Sequence, residues 1–159
     1  MNSNVKWFNY LTSERRLSVD VLKEAQLKII NDRLQIPIFD SRGTLLFSKY
    51  RKAPWDESGT PKYFYEKGSA AAVYGYHFQE SKGRWFIVEG ELDVLAIRTI
   101  GGNAITSTGG AKTWRPDWPL PTNPTLLLDN DVAGIAGAVK IALMIPGRFT
   151  FSWTPSGYG

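Results

Sequence analysis

Two short apolar runs, each followed at once by carboxylates, constrain this chain more than any other feature. The first reads W-F-I-V-E-G-E-L-D from Trp85 to Asp93, and the second T-L-L-L-D-N-D-V-A-G from Thr125 to Gly134. Runs of this length, bounded by charged or turn-forming residues, have the character of strands buried on both faces of a parallel sheet. A helical pattern follows each: V-L-A-I-R-T-I after Asp93, and Ile135, Ala138, Val139 and Ala142 after Gly134. Buried strands alternating with helices predict an α/β fold. Glu89, Asp129 and Asp131 then stand just past the C-terminal ends of two strands, where open α/β sheets bind ligands. Converging carboxylates repel unless a cation neutralises them, and hard oxygen donors suit Mg²⁺ or Mn²⁺. Asp129 and Asp131 alternate along an extended backbone, so both can face one side. Asp93 lies near the start of its helix, where the dipole favours an acid; a supporting role at the metal is its functional alternative.

The rest of the 159-residue chain bounds what such a site can serve. There is no Cys, which excludes disulfides, thiolate zinc sites and cysteine nucleophiles. The single histidine, His77, suits neither a zinc site nor a triad and reads as structural. No apolar run near the N-terminus is long enough for a signal peptide or membrane helix, so a soluble, cytoplasmic protein without membrane contact is expected. Residues 1–84 carry 14 Lys/Arg against 9 Asp/Glu, and residues 85–159 carry 5 against 6. A basic half joined to an acidic one suits the handling of a polyanion. The expected division is therefore a basic N-terminal subdomain of mixed α+β structure over 1–84 and an α/β domain over 85–159.

Within the first half, Leu17, Val21, Leu22, Ala25 and Ile29 predict a helix over Leu11–Ile30, with Ser18 as an N-cap. Arg33–Phe47 reads as a hairpin around Asp40–Gly43, with Pro37 confining its strand to an edge or a bulge. Ala53–Pro61, rich in turn formers, is expected to be a flexible excursion. In the second half, Asn103–Thr106 predicts a strand, Ser107–Lys112 a loop, Gly134–Met144 a helix and Arg148–Trp153 a last strand. Trp85 is expected in the core, and Trp114, Trp118 and Trp153 under loops. Trp55 is the best candidate among the tryptophans for a contact surface.

E-G-E-L-D and D-N-D-V-A-G resemble the E-G-x-x-D and D-x-D-x-x-G signatures of the Toprim domain, which topoisomerases, bacterial-type primases and some nucleases share. Tyr10, Leu11, Arg15 or Arg16, Leu17 and Ser18 are similar to a primase segment Y-L-x-x-R-G-L-S. Arg33, Pro37, Ile38, Gly43, Phe47, Arg51, Pro61, Lys62, Tyr63, Lys67, Gly68, Tyr74 and Gly75 match, in order, the stretches that precede the Toprim glutamate in bacterial-type (DnaG-like) primases.

The resemblance implies a Toprim-like (Rossmann-like) mostly parallel sheet flanked by helices, preceded by the small basic subdomain. It implies the catalytic core of a DNA primase of phage or mobile-element type, making short RNA primers on single-stranded DNA from ribonucleoside triphosphates. Glu89, Asp129 and Asp131 would be catalytic, and with Asp93 would hold Mg²⁺ or Mn²⁺, with no zinc. Arg33, Arg51, Lys62, Tyr63 and Lys67 would contact nucleic acid or nucleotide. A replicative helicase is an expected partner, through regions absent here. The family's further acidic cluster has no counterpart before Gly159, so the Toprim half is expected to be truncated at its C-terminus. The alternatives are a Toprim-family metal-dependent nuclease, which leaves the P-K-Y and V-Y-G stretches without a reason, and a non-catalytic nucleic-acid-binding module.

Overall fold

The computed structural model describes residues 2–78 and 82–153, and the chain divides into two compact units between Ala70 and Ala71. Thr154–Gly159, where the acidic cluster would follow, lies outside the described residues.

The first unit opens with α1 (Ser3–Asn9), which runs into a π turn over Tyr10–Glu14. The left-handed Arg16 (φ 55°) then interrupts it. Ser18 caps α2 (Val19–Glu24) by accepting a hydrogen bond from the N–H of Val21 at 3.2 Å. The expected helix to Ile30 is corrected here. Gln26 takes a left-handed backbone (φ 53°), ending the helical run, and Lys28–Ile30 becomes strand β1. Strands β2 (Arg33–Phe39), β3 (Leu45–Arg51) and β4 (Tyr63–Tyr65) complete an antiparallel sheet in the order β1-β2-β3-β4. Pro37 lies in β2 beyond the β1 ladder, which stops at Gln35, and opposite Ser48 of β3, so β2 is an inner strand with one side open at the proline. The register slips at Ile38/Phe39, one residue on. Trp7, Leu34, Ile36 and Ile38 are buried in this unit, and the Trp7 indole donates to the carbonyl of Asp32 at 3.1 Å.

Ala53–Pro61 is a built loop. Arg33 donates to the Thr60 hydroxyl at 3.0 Å and the Pro61 carbonyl at 3.3 Å. Lys52 donates to the Ser58 carbonyl at 2.5 Å, and the N–H of Ser58 donates to Asp56 at 2.8 Å.

The second unit begins earlier than the 84/85 boundary drawn from charge. The cause is β5 (Val73–Tyr74), which pairs antiparallel with β7 (Asn103–Ser107) and so ties the preceding segment to the α/β sheet. The tie is close at Gly75 (φ 113°), where a Cβ would stand 2.2 Å from the carbonyl oxygen of Ala104. The remaining elements are β6 (Trp85–Val88), α3 (Glu91–Thr99), β8 (Thr125–Leu128), α4 (Val132–Ala142) and β9 (Thr150–Trp153). The sheet order is β5-β7-β6-β8-β9, with β7, β6, β8 and β9 parallel. Ile87, Ile105, Leu126 and Leu128 form its buried face under Ala138 and Ile141 of α4 and Trp114. This is the mostly parallel, helix-flanked sheet expected. Trp153 departs from expectation: it lies on the edge strand β9, 39% exposed and stacked on Phe151, because no further strand covers that edge among the described residues. No helix among the described residues is long and apolar enough to cross a membrane.

Candidate active site at the sheet switch point

Strand β6 has β7 on one side and β8 on the other, so the strand order reverses there, and in open α/β sheets it is the C-terminal end of such a switch point that binds ligands. Glu89 is the first residue past β6 and Asp129 the first past β8, and Val88 lies beside Leu127 in the ladder. The two acids meet. Oε2 of Glu89 accepts the backbone N–H of Asp129 at 3.0 Å.

Burial is the largest influence on Glu89 and pushes its carboxyl above its usual range. The Asp129 N–H opposes that, while the charges of Asp129, Asp131 and Asp93 add to it. Four acids therefore share one field.

Local structure fixes where each can reach. Asp131 is the N-cap of α4, its Oδ1 accepting the N–H of Gly134 at 2.7 Å. Gly134 is obligatory there for steric reasons: a Cβ would stand 2.1 Å from the carbonyl oxygen of Asp129. Asp93, on the first turn of α3, accepts the N–H of Gly90 at 3.1 Å through Oδ2. Each of these carboxylates thus commits one oxygen to a backbone donor. In that arrangement no three acid or imidazole side chains among the described residues are drawn close enough to close on one ion. The charges of Asp129, Asp131 and Asp93 nonetheless act together on Glu89, and a cation held between them would relieve that repulsion.

The basic candidates all lie in the first unit. Arg51 donates to the Tyr10 hydroxyl at 3.2 Å and sits 5.8 Å from its ring. Its strand partner across β3/β4 is Tyr63. Lys62 is exposed, 5.7 Å from the Tyr63 ring, and Lys67 is exposed in the loop beyond β4. Arg33 is otherwise engaged: its guanidinium stacks 4.0 Å over Phe64 and its donors hold the 53–61 loop. His77 packs between Tyr74 and Phe78, at ring distances of 5.2 and 3.8 Å, as a structural residue would.

No family model matches the sequence, and no curated protein matches it. Solved structures do. The Escherichia coli primase catalytic core matches 99% of this chain and 67% of its own, with TM-score 0.70 and 22% identity. The Aquifex aeolicus primase, with its zinc-binding and RNA polymerase domains, matches over 94% and 50%, with TM-score 0.73 and 19% identity. The primase fragment of the bacteriophage T7 primase-helicase protein matches over 90% and 63%, with TM-score 0.71 and 16% identity. The fold is that of a bacterial-type primase catalytic core. At these identities the likeness is one of fold, and the chain spans half to two-thirds of these three primase chains.

Two residues of this primase-like fold escaped the sequence reading. Lys49 is only 4% exposed, its ammonium 4.1 Å over the ring of Tyr63 and 5.4 Å from that of Tyr65. The signal was a lysine inside a strand followed by an aromatic strand, Y-F-Y. Glu91 is 2% exposed at the first turn of α3, where the dipole favours an acid. Its signal was the E-G-E spacing.

Proposed function

We propose that the chain is a primase catalytic core of Toprim type, of phage or mobile-element origin, which makes short RNA primers on single-stranded DNA with Mg²⁺ or Mn²⁺. The observation that carries this reading is the Glu89–Asp129 hydrogen bond across the mouths of β6 and β8, with Asp93 and Asp131 in the same field. Glu89, Asp129, Asp131 and Asp93 would hold the cation, and bound there it supplies charge stabilisation for the phosphates and the departing pyrophosphate. The chain's own part is positioning and proton transfer. Oε2 of Glu89 is spent on the Asp129 N–H, which leaves Oε1 to take the proton of the attacking 3′-hydroxyl. Proton transfer to a positioned carboxylate is the general-base part of the reaction. The attacking oxygen bonds to the α-phosphorus of the incoming nucleotide as pyrophosphate leaves.

Arg51, Lys62 and Lys67 are the proposed phosphate contacts and Tyr63 a base contact. Arg33, committed to Thr60, Pro61 and Phe64, would support the loop beside them. A replicative helicase is the proposed partner.

The second reading is a nucleic-acid-binding module without catalysis. The capping duties of Asp93 and Asp131 favour it, since helix caps account for both residues with no metal. Incubation with single-stranded template, labelled ribonucleotides and Mg²⁺ or Mn²⁺ separates the two. Short RNA products that disappear in Glu89→Gln support the primase. Template degradation without synthesis points to a Toprim nuclease, and salt-sensitive binding with neither activity to the module.

A further inference from the structure

Trp55, marked in the sequence as a candidate contact surface, has no part in the chemistry proposed above. The loop that carries it is clamped by Arg33, Lys52 and Asp56, so its position is built rather than incidental. The indole stands edge-on to Trp7 at 5.1 Å and to Tyr10 at 6.1 Å. Trp7 is fully buried, whereas Trp55 keeps 38% of its surface open. It borders a pocket of about 640 Å³ that Lys6, Asp32, Arg33, Asp56 and Thr60 also line. That volume lies within the range of about 300–1,000 Å³ typical of small-molecule sites.

The lining selects among ligands. Asp32 and Asp56 would repel a simple anion, Lys6 and Arg33 would repel a simple cation, and an apolar ligand would strip water from all four. An aromatic face, a cation and a fixed carboxylate acceptor suit a ligand that offers a ring, an anion and an amine. Asp56 is such an acceptor, its carboxylate held by the Ser58 N–H at 2.8 Å. We infer that this pocket takes one unstacked nucleotide of a single strand, its base against Trp55, its exocyclic amine donating to Asp56 and its backbone phosphate at Lys6. This site belongs to the first unit and is distinct from the carboxylates, so it stands or falls separately from the polymerase reading.

The test is fluorescence anisotropy of the full chain with labelled oligo(dC) and oligo(dT) of about 12 nucleotides, within the usual span of a single-strand site. Oligo(dC) should bind more tightly, because thymine lacks the amine. Trp55→Leu should weaken oligo(dC) binding about tenfold, and Trp55→Phe should restore most of it. Lys6→Glu, at an exposed position, should weaken binding severalfold and flatten its salt dependence. Asp56→Asn keeps an acceptor for the Ser58 N–H and should erase the preference for oligo(dC). Unchanged affinity in Trp55→Leu and Lys6→Glu, or no binding by the wild-type chain, overturns the inference. If Trp55→Leu fails to fold by circular dichroism, Lys6→Glu decides. Trp55-dependent binding without primer synthesis would sink the polymerase reading and leave this one, and synthesis with Trp55-independent binding would do the reverse.

Discussion

At the residue scale the site turns on Glu89, whose carboxyl is raised by burial first and by three neighbouring acids after that. A raised folded-state value means that the native chain binds the proton more tightly than the unfolded chain. Stability is therefore greatest with Glu89 protonated and falls as pH rises through the folded value. Glu89→Gln keeps an oxygen for the Asp129 N–H and removes the charge. It should melt higher than the wild type at neutral pH, with the difference vanishing under acid conditions; thermal melts across pH check this, and a lower neutral melting point would contradict it. Gly134→Ala tests the backbone beneath the site. Its Cβ would overlap the Asp129 carbonyl, so a loss of about 1–3 kcal/mol is expected in urea denaturation, as for other overpacked positions. Glu89 was legible in the sequence because a carboxylate directly after W-F-I-V has no packing reason to be there. Its hydrogen-bond partner was not, since the Asp129 amide lies forty residues on and meets it only through the β6/β8 ladder. Lys49 stayed hidden for the same reason: its burial depends on Tyr63 and Tyr65 of a different strand.

At the element scale the two strand–acid–helix units were legible because periodicity and end signals agreed. Trp85–Val88 and Thr125–Leu128 are strands over those residues, and the helices after them begin at their acids. The run from Leu11 to Ile30 misled because apolar spacing continues across breaks that only the backbone reveals, at Arg16 and Gln26, where non-glycine residues turn left-handed. The domain boundary misled because charge does not report pairing, and β5 joins the second sheet from inside the basic half. Asp131 serves as a helix cap and is proposed as a metal ligand, and two substitutions separate the roles. Asp131→Ala should cost about 0.5–2 kcal/mol through loss of the cap. Asp131→Ser should recover most of that stability while failing to recover the rise in melting temperature expected of the wild type on adding Mn²⁺. Full recovery of the Mn²⁺ response by the serine variant would leave Asp131 a cap and nothing more.

At the scale of the whole molecule, the chain joins a basic antiparallel unit to an α/β unit that carries Glu89 and Asp129 at adjacent strand ends, in the fold of a primase catalytic core. That architecture was legible from strand–helix alternation and the order of the two acidic motifs. The 53–61 loop was not, because its turn formers look the same whether or not side chains such as Arg33 and Lys52 clamp them. The central claim, template-directed polymerisation at Glu89, is tested most directly by ribonucleotide incorporation on homopolymer single strands with Mn²⁺. Poly(dT) should direct labelled ATP and not CTP into short products, with Glu89→Gln lowering the yield at least about a hundredfold. Incorporation indifferent to the template base, or equal in the wild type and Glu89→Gln, would contradict it.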